Sequence, residues 1–254
     1  LRGVENAVVN NVIINNNVKT LKDRHRWGQI SLWIEGGSGE YEIHDNNIYG
    51  GPHKGISISG DFDSCNVYDN LIMHNESYVN GYGFSVSGNN INIHNNEVNP
   101  ISGRGAHITG TNIDFHHNSL NLKLAQVIEH DGGQTNYHLI FIPVHGIKLE
   151  NSGSMNNRIY SNTVIATQPS ADYAPPTPLN IDAEGSNANN LIYDNEFTAI
   201  TYAGTSGGTA GYGVFDTYAP GIYVMQCSSS NPASIYDNHF KSNDRAIHMD
   251  GFSC

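Results

Sequence analysis

IHNNEV, residues 93–98, decides how this chain folds, because its pattern returns along the whole length: an apolar residue, two others, Asn, any residue, an apolar residue. The phrase is written eight times, as IINNNV (13–18), IHDNNI (43–48), VYDNLI (67–72), IHNNEV (93–98), FHHNSL (115–120), IYSNTV (159–164), IYDNEF (192–197) and IYDNHF (235–240). A second phrase alternates with it: SLWIEG (31–36), GISISG (55–60), GFSVSG (83–88), GAHITG (105–110), GIKLEN (146–151), PLNIDA (178–183), GIYVMQ (221–226) and AIHMDG (246–251). The Asn of the first phrase falls at 16, 46, 70, 96, 118, 162, 195 and 238, with most steps 22–33 residues long. The longer step from 118 to 162 predicts a hidden coil around Val127 to Ile142.

Period-2 alternation inside each phrase means strands with one buried face. A period of about 25 residues holding two or three short strands means parallel strands stacked coil upon coil, a solenoid in which no coil buries its apolar face alone. Ile56, Ile58, Phe84, Val86, Ala106, Ile108, Ile147, Leu149, Leu179 and Ile181 are the expected core. The repeated Asn is expected at a sharp turn, where it tolerates the left-handed region, with its amide bonded to the Asn one coil away.

Composition agrees. Asn occurs 34 times and Gly 27 times against 11 Leu, which argues against helical bundles. No run approaches the roughly 18–20 apolar residues of a membrane-spanning helix. The 254 residues read as one β-helical domain over 1–254, and the balance of 12 basic against 24 acidic residues, with no continuous basic stripe, argues against nucleic acid. Leu1 opens inside a repeat, as in a mature or excised portion of a longer chain. Of the three Cys, Cys227 and Cys254 stand 27 residues apart, one period, so a disulfide between neighbouring coils is open to them.

The two alternating phrases resemble the right-handed parallel β-helix family, whose members carry a GI-x-[IVL] plus N-x-I-x-x-N repeat. They include pectate lyases and other polysaccharide lyases, alginate epimerases, polygalacturonases and phage tailspikes. The resemblance covers practically the whole chain and implies a single-stranded right-handed parallel β-helix of about nine or ten coils. It also implies an extracellular or cell-surface protein that binds an acidic, uronate-containing polysaccharide. Neither the Asp-Pro-His of the epimerases nor the Asp-Asp and Gly-His-Gly of the polygalacturonases is present, so the branch stays open.

Outward side chains at equivalent positions form columns with neighbours about 4.8 Å apart. On the GI strands the first column reads Trp33, Ser57, Ser85, His107, Lys148, Asn180, Tyr223 and His248; the second reads Glu35, Ser59, Ser87, Thr109, Glu150, Asp182, Met225 and Asp250. Consecutive coils would put Glu150 and Asp182 roughly 5 Å apart, with Lys148 and Asn180 beside them, and the supposed hidden coil offers Glu129, His130 and Asp131. Stacked carboxylates need a cation, a shared proton or a basic neighbour. With calcium held by Glu129, Asp131, Glu150 and Asp182, the lyase resemblance implies a metal-neutralised uronate and a base, for which Lys148 stands first and His107, His130 and His145 follow. Without metal, a carboxylate pair near 5 Å suits a retaining glycoside hydrolase. A solvated Lys-Glu surface pair is the plain alternative.

A further column precedes the GI strands: Lys54, Tyr82, Arg104, His145, Thr177, Pro220 and Arg245. Lys54 and Arg104 can pair with sugar carboxylates and Tyr82 can stack on a sugar ring; the DRHRW cluster at 23–27 can extend the patch. The excursions 166–178 and 198–220 leave after an Asn phrase and return at a GI strand, so they can wall a groove beside Asn180 and Asp182. Lyase-type β-elimination on a uronate polysaccharide is the leading expectation. The rival is a noncatalytic surface, filament or tailspike element, whose loops and open coil ends contact further copies.

Overall fold

Every coil turns three corners, and the residues at two of them explain why the chain alternates its phrases. A computed structural model describes residues 1, 6–15, 30–36, 38–49, 54–73, 81–101, 103–123, 128–130, 137–139, 145–150, 154–167, 177–182, 189–200, 222–225, 233–242 and 247–250. Face one carries the GI phrases: Ile30–Glu35, the first halves of Lys54–Tyr68, Gly81–His94 and Gly103–His116, then His145–Leu149, Thr177–Asp182, Ile222–Met225 and Ile247–Asp250. Face two holds Ala7–Asn10, Glu40–His44, the second halves of the same three long strands, Arg158–Tyr160, Leu191–Tyr193 and Ser234–Tyr236. Face three is an eight-stranded ladder from Ile13–Asn15 to His239–Ser242. All three ladders are parallel, and the chain is a right-handed parallel β-helix, the hand that a right-twisted strand imposes on a parallel crossover. Among the described residues seven coils show all three faces, and part of a coil stands at each end. The expected core residues are all 0–1% exposed.

Between faces two and three the corner has the same form in every described coil. One residue with φ of 51–56° (Asn11, Asp45, Asp69, Asn95, His117, Ser161, Asp194, Asp237) is followed by the inward residue. The left-handed position therefore belongs to the residue before the repeated Asn, not to the Asn itself as the sequence suggested. The Asn is buried instead: Asn46, Asn70, Asn96, Asn118, Asn162 and Asn195 are 1–2% exposed. Side-chain amides of Asn46, Asn70, Asn96, Asn118, Asn162, Asn195 and Asn238 form one chain of hydrogen bonds of 2.8–3.1 Å. At Asn96 the Nδ2 group also donates to the carbonyls of Val67 and His94, while Oδ1 accepts from Asn70 N. Each amide thus satisfies backbone groups that the bend would otherwise leave unpaired in the core.

Two sequence assignments are corrected here. Ile13 pairs with Asn47, so Val12, whose N–H donates to Asn46 Oδ1, occupies the first ladder position, and Asn16 does not. No coil is hidden between 118 and 162, because Asn118 bonds Asn162 directly and Ser119–Lys123 pairs with Thr163–Thr167. Ile128–His130 and Tyr137–Leu139 make a separate antiparallel hairpin; the long step is an insertion within one coil.

Between faces one and two, glycines take over. Gly60, Gly88 and Gly110 stack so closely that a Cβ on Gly88 would stand 2.0 Å from Gly60 O, and one on Gly110 1.9 Å from Gly88 O. This lets each long strand fold round the corner without leaving its ladder. In later coils Ser154 stands opposite Gly110, and Asn157 and Asn190 continue the column of Ile113, with Ile113 N donating to Asn157 Oδ1 at 2.8 Å and Asn157 N to Asn190 Oδ1 at 2.9 Å.

Replacing Asn96 by Ala strands the Asn70 N–H and two carbonyls in the core. At about 1–3 kcal/mol per unsatisfied group, urea unfolding is expected to show a loss of roughly 3 kcal/mol or more. Asn121→Ala, at an exposed Asn pair, should stay within about 0.5 kcal/mol of the parent.

Candidate functional site

The register of face one builds the site. Lys54, Tyr82, Arg104, His145 and Thr177 are successive partners in one column, and Trp33, Ser57, Ser85, His107, Lys148, Asn180, Tyr223 and His248 in the next, as the phrases predict. Where the coil beginning at Gly103 meets the one beginning at His145, the two columns draw together. Glu150 N donates to Ile108 O at 3.0 Å, which seats Glu150 beside the preceding coil. Its Oε2 lies 2.5 Å from His107 Nε2 and its Oε1 accepts from Lys148 Nζ at 3.1 Å. Tyr82 packs against the His107 ring at 5.6 Å, and its hydroxyl accepts from Arg104 Nη1 at 2.5 Å. Arg104 and Lys54 stand 5.2 and 5.9 Å from the centre of the Tyr82 ring. Three cations and one carboxylate thus gather on a chain whose formal charge is −12.

Burial sets the protonation states. Burial pushes His107 below the ordinary imidazole range, Arg104 and Lys148 add to this, and the Glu150 carboxylate opposes it. Burial would raise Glu150, but His107 and Lys148 overcome it and hold the carboxyl low. Since His107 is neutral at pH 7, its charge acts on Glu150 only in acid; Lys148 and the imidazole N–H hold the carboxylate at neutral pH. Burial also lowers Lys54. His145, only 7% exposed, is pushed down to about 3 by burial and then by Arg104, Lys148 and His107. Among the described residues, His145 Nδ1 and Arg104 Nε are buried without a hydrogen-bond partner.

The chemistry follows from the tautomer. With Nε2–H given to Glu150, neutral His107 keeps its lone pair on Nδ1 and is a base oriented by a carboxylate. Lys148, expected as base or uronate anchor, donates to Glu150 Oε1. The expected cluster Lys54, Tyr82, Arg104, His107, His145, Lys148 and Glu150 is therefore assembled. His145 lies beneath the surface instead of facing outward.

The other expected residues are placed by backbone alone or not at all. Asn180 and Tyr223 continue the Lys148 column, and Asp182 pairs with Met225; their side chains fall outside the described residues. Glu129 and His130 lie in the antiparallel hairpin, where Glu129 pairs with His138 and His130 with Tyr137. Asp131, the 23–27 cluster, residues 168–176 and 201–221, Cys227 and Cys254 lie outside the described residues, as does the pairing of those cysteines. Cys65 is free and buried. Of the expected calcium ligands only Glu150 has a described side chain, with both oxygens engaged, and among the described residues no three His, Cys, Asp or Glu gather to hold an ion.

One feature of face two escaped the sequence reading. His44, Tyr68, His94, His116, Tyr160, Tyr193 and Tyr236 stack as a column, centroids 4.6–5.2 Å apart and planes within 9°. The signal was present: from the second occurrence onward, the second letter of every Asn phrase is His or Tyr. Burial first, then the charges of His94 and His117, push His116 down to about 4.

By architecture the chain stands among parallel β-helix proteins. No protein-family model matches it, and neither does any curated protein or any solved structure.

His145 and His116 titrate near 3 and 4 in the folded chain, against about 6.5 when unfolded. Between about pH 4 and 6.5 the unfolded chain binds protons that the native state refuses, so stability falls with acid across that window. Thermal melts should show a lower Tm at pH 4.5 than at pH 7.5. His116→Tyr, which keeps the stack, should narrow the gap.

Proposed function

We propose that this protein binds an acidic polysaccharide across the coils of face one and cleaves it by β-elimination. The observation that carries the reading is the gathering of Lys54, Arg104 and Lys148 around Tyr82 and a carboxylate-held, neutral His107. A uronate polymer laid along the column would meet a cation every coil or two, at spacings set by the strands. Arg104 or Lys54 would neutralise a uronate carboxylate, which acidifies the C–H bond beside it. His107 Nδ1 would take that proton, the electron pair would form the new C=C bond, and the glycosidic C–O bond one carbon further would break. The proton on the imidazolium, or that of the Tyr82 hydroxyl, would pass to the departing oxygen.

Kinship with the pectate-lyase-like proteins and an extracellular or cell-surface setting belong to the same proposal, supported by the repeat and by the shared architecture. The noncatalytic reading draws on the same triad, since Lys148, Glu150 and His107 also tie two coils together as an ordinary ion-pair network.

Incubation with a panel of uronate polymers, with and without calcium, should yield ultraviolet-absorbing unsaturated ends on at least one. His107→Ala should lower kcat/KM by about 10²–10⁴-fold, while Arg104→Ala should chiefly raise KM. The acid limb of the pH profile should lie below the ordinary imidazole pKa of about 6.5, where a lysine base would demand alkali. Salt-sensitive binding without turnover would leave the adhesive reading standing; no binding to any polyanion would end both.

A further inference from the structure

The corner between faces two and three brings two adjacent side chains together, and in one described coil both are imidazoles. In the first complete coil His44 Nδ1 stands 2.8 Å from Asp45 Oδ2, a donor facing an acceptor. Other coils place Asp69, Asn95, Ser161, Asp194 or Asp237 at the left-handed position. The coil of Gly103–His116 places His117 there, and His116 Nδ1 faces His117 Nδ1 at 2.8 Å. We infer that His116 and His117 chelate a divalent transition-metal ion, copper(II) before zinc, through these two Nδ1 atoms, with solvent completing the coordination.

A relay across four coils prepares the first ligand. Glu42 Oε1, which can only accept, takes a hydrogen bond from Asn66 Nδ2 at 2.8 Å; Asn66 Oδ1 takes one from Asn92 Nδ2 at 3.2 Å; and Asn92 Oδ1 faces His116 Nε2 at 2.9 Å. The carboxylate orients each amide in turn, so the proton of His116 sits on Nε2 and the lone pair on Nδ1, aimed at His117. The His116 ring is further clamped between His94 at 5.1 Å and Tyr160 at 4.6 Å. His117 is exposed, so its ring can turn, carry its proton on Nε2 and offer Nδ1 as the second ligand.

The spacing selects the metal. At metal–nitrogen distances of about 2.0–2.1 Å, donors 2.8 Å apart subtend about 85–90° at the ion. A tetrahedral angle would need about 3.3 Å, so the pair suits the square or tetragonal preference of copper(II) and nickel(II). Copper also leads the intrinsic affinity order. This site is independent of the carbohydrate reading.

The test titrates the whole chain with Cu²⁺, Ni²⁺ and Zn²⁺ separately by calorimetry and records the electron paramagnetic resonance of the copper form. His117→Asn and His116→Tyr use residues that already occupy these positions in neighbouring coils, and melting curves check that they fold. One Cu²⁺ per chain should bind with two imidazole nitrogens in its spectrum, at least tenfold more tightly than Zn²⁺, and be lost from the tight site in either variant. Asn92→Leu, which cuts the relay, should weaken it about 10–100-fold. The chain has 13 His, so the difference from the variants is decisive. Copper binding unchanged in both variants, a single-nitrogen spectrum, or zinc bound as tightly as copper would overturn the assignment.

Discussion

A buried amide that must donate to one coil and accept from another is the constraint on which this molecule rests. An apolar core fixes how far inward a strand sits but not where it stops along its neighbour, and slippage by one residue would turn its side chains inside out. The Asn ladder removes that freedom. Asn96 shows how: its amide donates to the backbone of its own coil at His94, to that of the preceding coil at Val67, and to the Asn of the next coil. Every outward column, cationic on face one and aromatic on face two, inherits its alignment from that ladder.

The site on face one follows from this alignment and from charge. An acidic chain disfavours anions almost everywhere on its surface, and the register concentrates Lys54, Arg104 and Lys148 on one patch, where Glu150 pairs with Lys148. Burial then separates the basic groups by function, because an imidazole gives up its proton under burial far more readily than a guanidinium. His107 is left neutral beside the Arg104 guanidinium within one small patch.

Most of the architecture was legible in the text because stacking repeats its demands. Phe84, Val86, Ala106 and Ile108 announce an inward column, and the partners of His107 and Lys148 could be listed before any coordinates. The ladder was misread at its first rung, since IINNNV matches the pattern while the chain actually seats Val12 there. The step from 118 to 162 was misread because length alone cannot distinguish a coil from an insertion. The link from His107 to Glu150 runs diagonally between columns, and the relay from Glu42 to His116 depends on amide orientation, so neither is written in any single phrase. The aromatic column was written in every Asn phrase after the first and overlooked beside the louder Asn.

The three corners also differ in what they tolerate. At the Asn corner two residues, no more, separate the strands in every described coil, and at the glycine corner a single methyl group would collide with backbone. The third corner carries no such ladder: the chain spends 21 residues there between Lys123 and His145, yet Asn118 and Asn162 remain bonded at 3.1 Å. Loop closure grows only slowly more costly with length, about 0.6 kcal/mol per doubling. Length variation is therefore kept away from the Asn corner: it falls between faces one and two, where none to eight residues separate the strands, and at this third edge, the one that borders Lys54, Tyr82 and Arg104. Such a fold separates heredity of shape from heredity of specificity: insertions can remodel what meets the cationic column while the coils beneath keep their count and their phase.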